Sequence, residues 1–136
     1  METPDMDPLD GKRILVVEDE AVIAAMIEDM LEDLGAVVVG PVNTVARGLA
    51  LAGDAAIDAA VLDVNLRGER VDPVARLLAR RGVPVVIASG YGESGEFEHD
   101  GAVLTKPFTL ADLGRVLESA LRDAGDQSGG RLVTQT

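Results

Sequence analysis

Four short apolar runs in this 136-residue chain each end at a polar side chain, and this recurrence strongly constrains the fold. The polar groups that follow the four runs are Glu18 with Asp19, Asp63, Ser89 and Lys106. Segments of helical period separate the runs, which is the pattern of repeated βαβ units and a parallel sheet. Because the carboxyl ends of parallel strands meet at one edge, we expect three acids, a hydroxyl and an ammonium in one pocket there.

The first two segments between the apolar runs carry helix signals. A helix is predicted from about Glu20 to Leu34, with one apolar stripe made of Ile23, Met26, Ile27, Met30, Leu31 and Leu34. A second helix is predicted to begin after Asn43 or Thr44, since either side chain can serve as its N-cap. Gly48 falls inside this second helix.

Two later helices have capping sequences. Asp72 followed by Pro73 predicts an N-cap with proline at the first helical position. Thr109 with Asp112 three residues later predicts a capping box for the last helix. Residues 91–101 are rich in glycine and acids, so a fourth helix in that segment is expected to be short or mobile. Five strands and five helices therefore fit the chain.

The length of the chain fits one folded domain. Residues 1–11 lack periodicity and hold acids and prolines, which predicts a flexible N-terminal arm. The domain itself is expected over residues 12–123. Residues 124–136 offer little to bury and predict a disordered C-terminal tail.

The composition argues against several classes of function. A net charge of −12 disfavours a nucleic-acid surface, because recognition of phosphates needs lysine and arginine. The chain has no cysteine, which excludes disulfides and thiolate metal sites. No apolar run approaches the about 18 residues of a spanning helix, and the acidic amino terminus is unlike a secretory signal. We expect a cytoplasmic, monomeric protein whose partner is a protein, not nucleic acid or a membrane.

The acids at the strand ends predict a metal site. Glu18, Asp19 and Asp63 would repel one another and raise their pKa values unless a cation lies among them. All the available ligands are hard oxygens, with a backbone carbonyl near Asn65 and waters completing the set. Mg²⁺ is therefore favoured over Zn²⁺.

The lysine and the serine complete a site suited to a phosphoryl group. Lys106 can pair with an anion, and Ser89 offers one hydroxyl donor. In phosphoryl transfer the protein mainly positions groups and neutralises charge on oxygen. Asp63 would be the nucleophile and form an aspartyl phosphate. Taken singly, such residues are often solvated caps or surface charges, so the prediction depends on their coincidence.

From Arg13 to about Arg122 the chain resembles the CheY-like receiver domain of two-component response regulators. The motifs that carry the resemblance are VVEDE for the acidic pair, VLDVN for the phosphoacceptor, IASG for the switch hydroxyl and TKPF for the lysine. It implies an α/β fold, a (βα)5 flavodoxin-like doubly wound parallel sheet with strand order 2-1-3-4-5. The bond between Lys106 and Pro107 is expected to be cis.

The resemblance also implies roles for the site residues. Mg²⁺ would be held by Asp19, Asp63 and the backbone carbonyl of Asn65, with Glu18 assisting through water. Asp63 would accept a phosphoryl group from a sensor histidine kinase or a histidine phosphotransfer protein.

Residues 84–91, PVVIASGY, are similar to the PFxFATG[G/Y] motif of stand-alone receivers found in alphaproteobacteria. The partners of that subgroup are often kinases of the HWE or HisKA-2 type, several of them in general stress signalling. Val85, Ile87 and Ser89 depart from the phenylalanines and threonine of the motif.

A loop rearrangement is the hypothesis for activation. Many receivers have a switching aromatic residue three positions before the lysine, where this chain has Val103. We therefore expect phosphorylation to remodel the loop that follows Ser89, with Gly90 and Tyr91 as its switch residues.

These residues are compatible with three functions. The favoured one is a single-domain response regulator that switches protein binding or acts as a phosphate shuttle or sink. A receiver-like adaptor that binds partners without phosphorylation is the first alternative. The second is a phosphatase of the haloacid-dehalogenase kind, in which a second aspartate would stand at the position of Asn65. Only this second alternative makes the chain an enzyme.

Overall fold

The computed structural model describes residues 9–66, 68–90 and 102–134, which form a sheet with helices on both faces. In chain order the elements are β1 (Arg13–Val17), α1 (Ala21–Asp33), β2 (Val37–Val42), α2 (Val45–Asp54), β3 (Ala59–Asp63), β4 (Asn65–Leu66), β5 (Glu69–Arg70), α3 (Asp72–Arg80), β6 (Val85–Ser89), β7 (Ala102–Thr105) and α4 (Leu110–Thr134). None of the helices in these ranges is long and apolar enough to cross a membrane.

The predicted fold class and strand order are confirmed. The five-stranded sheet has the order β2-β1-β3-β6-β7, and all its pairs are parallel. Counting these five strands alone gives 2-1-3-4-5, the doubly wound flavodoxin-like arrangement. The sequence did not predict β4 and β5, which form an antiparallel hairpin directly after β3.

Alternate side chains of the strands supply two cores, one on each face of the sheet. On one face Leu15 and Val17 of β1 pack in a cluster with buried residues of α2 and α3. On the other face Ile14 and Val16 pack with buried residues of α1 and α4. Every residue of β3 is buried, as expected of a central parallel strand covered on both sides. The end of β3 is consequently a firmly supported position for a functional side chain.

Two predicted helix caps are confirmed. Thr44 caps α2, because its Oγ1 accepts a hydrogen bond of 3.1 Å from the backbone N–H of Arg47. At α4 the backbone N–H of Asp112 donates to Thr109 Oγ1 at 3.0 Å, and the N–H of Thr109 donates to Asp112 Oδ2 at 3.1 Å. This reciprocal pair is the capping box that the sequence predicted.

The start of α3 differs from the prediction by one residue. Val71 is the N-cap and Asp72 is already helical, with Pro73 in the first turn. The N-cap Val71 makes no side-chain cap hydrogen bond, and the carboxylate of Asp72 pairs with Arg70 Nε at 3.0 Å. A negative charge in the first turn still interacts favourably with the helix dipole.

The buried stripe of α1 is narrower than predicted. Ala24, Ile27 and Leu31 are buried, whereas Met26 is 40% exposed. Ala24, Ile27 and Leu31 are three to seven residues apart and therefore share one face of the helix. Met26 lies beside that face rather than on it.

The described fold extends beyond both ends of the predicted domain. Leu9 is buried in the core next to α1 and α4, and the N–H of Gly11 donates to the carbonyl of Gly35 at 2.9 Å. Residues 9–11 therefore belong to the fold rather than to a flexible arm. At the other end α4 continues to Thr134, through the segment from residue 124 predicted to be disordered. A formed helix extends without a new nucleation step, which accounts for this continuation.

The remaining structural predictions for the chain ends and the central loop stay predictions. Residues 1–8 and 135–136 lie outside the described residues, as does the segment 91–101, where a fourth helix was expected.

A substitution at Gly48 tests how closely α2 packs on the sheet and on α3. A Cβ atom at Gly48 would lie 3.2 Å from Val74 Cγ2 and 3.3 Å from Val17 Cγ2. We expect Gly48→Val to lower the free energy of unfolding by about 1–3 kcal/mol through overpacking. Urea denaturation followed by circular dichroism measures this change.

Gly53 of the same helix provides the matched control. A Cβ atom there would meet Leu77 Cδ2 at 4.0 Å, an ordinary contact. Gly53→Val is expected to change the free energy of unfolding by no more than about 0.5 kcal/mol. Equal losses for both variants would contradict the close approach at Gly48.

Candidate functional site

The carboxyl edge of the sheet gathers the polar side chains that the sequence singled out. Glu18 follows β1, Asp63 and Ser89 end β3 and β6, and Lys106 follows β7. The parallel register sets these ends side by side, since Asp63 is paired with Ala88 and Ser89 with Thr105. The sheet therefore brings these residues together at one edge, which is the arrangement that the sequence predicted.

Three of these side chains are buried. Glu18, Asp63 and Ser89 expose 2%, 6% and 1% of their surface, and Asp19 beside them is half-buried. Ser89 Oγ has no hydrogen-bond partner among the described residues. A buried hydroxyl without a partner is unusual, because desolvating a polar group costs free energy unless a hydrogen bond replaces the lost water.

Lys106 lies between two of the buried acids. Its Nζ is 3.0 Å from Glu18 Oε1 and 3.5 Å from Asp63 Oδ1. Its backbone N–H donates to the carbonyl of Ser89 at 2.8 Å, which ties the start of the following loop to β6. The bond from Lys106 to Pro107 is cis, as predicted.

Burial and the charges of the site together shift the pKa values of Asp63 and Lys106. Burial, reinforced by the negative charge of Glu18, raises the pKa of Asp63 to about 7 from its ordinary 3.8. The charge of Lys106 acts in the opposite direction but does not offset the burial. For Lys106, burial lowers the pKa, but the hydrogen bond to Glu18 and the charges of Asp63 and Glu18 outweigh it, so the net pKa is raised.

The acidic cluster fits a divalent cation. One carboxylate oxygen from each of Glu18, Asp19 and Asp63 lies within 4.8 Å of the others. Mg²⁺ prefers carboxylate oxygens and binds with few protein ligands, so this donor set agrees with the Mg²⁺ expected from the sequence.

Asn65, Gly90 and Tyr91 were also predicted to belong to the site. The backbone of Asn65 pairs with Arg70 in the β4–β5 hairpin, directly after Asp63 and Val64. Gly90 follows β6 and is half-buried. Tyr91 lies outside the described residues. The roles assigned to these residues remain predictions.

One hydrogen bond to a carboxylate of the site was not predicted from the sequence. The backbone N–H of Glu20 donates to Glu18 Oε2 at 3.2 Å and helps to orient that carboxylate. A backbone donor is present at every residue except proline, so no residue type in the sequence signals this contact.

The raised pKa of Asp63 predicts how the stability of the metal-free protein depends on pH. Between about pH 4 and pH 7 the folded chain holds a proton on Asp63 that the unfolded chain has released. The free energy of unfolding should therefore fall as the pH rises through this range, and this contribution should level off above it. Denaturation in a chelating buffer at about pH 5 and about pH 8 measures the fall.

Two asparagine variants isolate the contribution of Asp63. Asp63→Asn should show a smaller fall and be more stable than the wild-type protein at the higher pH. Asp54→Asn, at an exposed carboxylate, should keep the wild-type fall. A fall that is the same in all three proteins would contradict the raised pKa.

Comparison with known proteins identifies relatives of the whole fold. The solution structure of SdrG from Sphingomonas melonis Fr1 matches with a TM-score of 0.73 and 48% sequence identity, over 85% of this chain and 98% of that one. Among curated proteins, the transcriptional regulatory protein PdtaR from Mycobacterium tuberculosis is 28% identical over 125 residues. The phyllosphere-induced regulator PhyR from Methylorubrum extorquens is 32% identical over 114 residues.

The two curated relatives are longer proteins. The matches cover 88% of this chain but 61% of PdtaR, and 79% of this chain but 43% of PhyR. The likeness to them therefore concerns part of each protein. The family model of the response regulator receiver domain matches residues 14–118. Since this match covers more than half of the chain and takes in Glu18, Asp63, Ser89 and Lys106, the chain belongs to the response regulator receiver family, whose members are signalling domains rather than enzymes.

Proposed function

We propose that this receiver is a phosphoryl-accepting switch, in which Asp63 takes a phosphoryl group from a sensor histidine kinase or a histidine phosphotransfer protein. The observation that carries the proposal is the position of Asp63, at the buried end of β3 with two acids within 4.8 Å and Lys106 Nζ at 3.5 Å. A nucleophile, a cluster fit for a cation and an ammonium group are thus combined in one pocket.

The transfer step uses groups of this chain and a phosphohistidine of the partner. A carboxylate oxygen of Asp63 attacks the phosphorus, the bond from phosphorus to the imidazole nitrogen breaks, and the electron pair of that bond returns to the imidazole. Lys106 neutralises part of the charge on the phosphoryl oxygens. Ser89, with a buried hydroxyl that lacks a partner among the described residues, donates a hydrogen bond to one of these oxygens.

The same pocket would hold the Mg²⁺ ion that receiver domains use. We assign its ligands as Asp19, Asp63 and the backbone carbonyl of Asn65, with Glu18 acting through water. When bound, the ion neutralises charge on the acids and on the phosphoryl oxygens and so favours in-line transfer. Without such a cation, attack by Asp63 is opposed by the proton that its raised pKa retains near neutral pH.

The output of the switch is a change in protein binding or the draining of phosphoryl groups from a kinase. The chain carries 24 acidic and 12 basic residues, a balance that suits protein partners better than nucleic acid. We place the protein in the cytoplasm as a monomer, with a downstream protein target. We propose that Gly90 and Tyr91 belong to the loop that responds to phosphorylation.

A general stress pathway is the signalling context that we propose. The motif PVVIASGY and the 32% identity to PhyR support this placement. In that context the donor would be a kinase of the HWE or HisKA-2 type. Profiling phosphotransfer from each histidine kinase of the source organism tests the assignment, and preferential transfer from a kinase of another type would contradict it.

Phosphorylation by a small-molecule donor is the most direct test of Asp63. With acetyl phosphate and Mg²⁺, intact-protein mass spectrometry should detect the addition of one phosphoryl group, and chelation of the metal should prevent it. Asp63→Asn should abolish the addition, and Lys106→Ala should slow it by about 10²-fold, because one group that neutralises charge is lost.

Asp54→Asn serves as the matched control, since it removes an exposed carboxylate by the same substitution. This variant should be phosphorylated at the wild-type rate. If the wild-type protein gains no phosphoryl group that depends on Mg²⁺ and Asp63, the adaptor alternative, which binds partners without phosphorylation, would be favoured.

A further inference from the structure

Lys106 is closer to Glu18 than to the proposed phosphoacceptor. Its Nζ lies 3.0 Å from Glu18 Oε1, a normal hydrogen-bond distance. The distance from Nζ to Asp63 Oδ1 is 3.5 Å, which is longer than such bonds usually are. The ammonium group of the unphosphorylated protein is therefore hydrogen-bonded to Glu18 and makes a longer ion pair with Asp63.

Both carboxylate oxygens of Glu18 are engaged within the protein. Oε1 accepts from Lys106, and Oε2 accepts from the backbone N–H of Glu20 at 3.2 Å. The side chain of Glu18 is 1% exposed and follows β1, a strand with neighbours on both sides. This carboxylate is thus held in one orientation, with the lysine as its charged partner.

We infer that Glu18 is a positioning residue, which holds the Lys106 ammonium beside Asp63 until a phosphoryl group on Asp63 takes its place as the partner. This inference rests on the proposed function. A phosphoryl group carries up to about two negative charges and three acceptor oxygens, so it attracts the ammonium more strongly than one carboxylate does. Because the two acceptors are neighbours, Lys106 can exchange partners without crossing the pocket.

The exchange also gives Glu18 a restraining role. When Lys106 leaves, a buried carboxylate loses its charged partner, and separation of a buried ion pair is unfavourable. Glu18 therefore keeps the ammonium ready for use and at the same time opposes its departure while Asp63 is unphosphorylated.

The lysine content of the chain allows a direct measurement. The sequence contains two lysines, Lys12 and Lys106, so NMR of isotope-labelled lysine ammonium groups gives one signal from each. Lys12 is exposed and provides the reference for rapid exchange with water. In the metal-free, unphosphorylated protein we expect a slowly exchanging Lys106 signal with a nuclear Overhauser contact to the γ-methylene of Glu18.

A pair of matched variants distinguishes the effect of Glu18 on the Lys106 signal from that of Asp63. Glu18→Gln and Asp63→Asn each replace a carboxylate with an amide of nearly the same shape. We expect the slowly exchanging Lys106 signal to be lost in Glu18→Gln and retained in Asp63→Asn, with backbone amide spectra confirming that both variants fold. The reverse pattern, or no protected Lys106 signal in the wild-type protein, would overturn the inference. If Glu18→Gln does not fold, the Overhauser contact in the wild-type protein decides.

Beryllofluoride with Mg²⁺, which mimics the phosphoryl group, tests the exchange of partners. On its addition to the wild-type protein, the Lys106 signal should shift and the Overhauser contact to Glu18 should disappear. A contact that persists after beryllofluoride has bound would refute the exchange. A failure of beryllofluoride to bind would overturn the proposed function and the exchange with it, while the metal-free spectra would still decide whether Glu18 holds Lys106.

Discussion

The repulsion among three carboxylates at one buried edge is the constraint on which the site depends. Glu18, Asp19 and Asp63 place oxygens within 4.8 Å of one another, and two of the three side chains are almost fully enclosed. Such an arrangement is tolerated only when positive charge or protons compensate for it. In this chain Lys106 supplies one positive charge, and burial together with the negative charge of Glu18 raises the pKa of Asp63. The donor set is consequently suited to a divalent cation.

The sheet meets this constraint by holding the acids on its inner strands. Strands β1 and β3 each have neighbours on both sides, and their alternate side chains fill separate cores against α1 with α4 and α2 with α3. The close packing at Gly48 shows how little room remains between one helix layer and the sheet. The repulsion among the carboxylates therefore occurs in the most extensively packed part of the fold.

Much of this organisation could be predicted from the sequence because it has a local or periodic signal. The apolar runs predicted the strands and their polar ends, and Thr109 with Asp112 predicted the start of α4. Structural features that have no periodic pattern in the sequence were not predicted. The strands β4 and β5 have two residues each, too few to show alternation, and Leu9 is a single apolar residue among acids and prolines. The preference of Lys106 for Glu18 over Asp63 depends on side-chain reach in three dimensions, which spacing along the chain does not encode.

The position of β7 has a mechanical consequence. Among the described strands β7 pairs with β6 alone, whereas β3, which carries Asp63, has strands on both sides. A phosphoryl group on Asp63 would lie on this inner strand, whereas Lys106 directly follows the edge strand and precedes α4. Under the proposed function, attraction between the two would therefore act from the centre of the sheet on its edge.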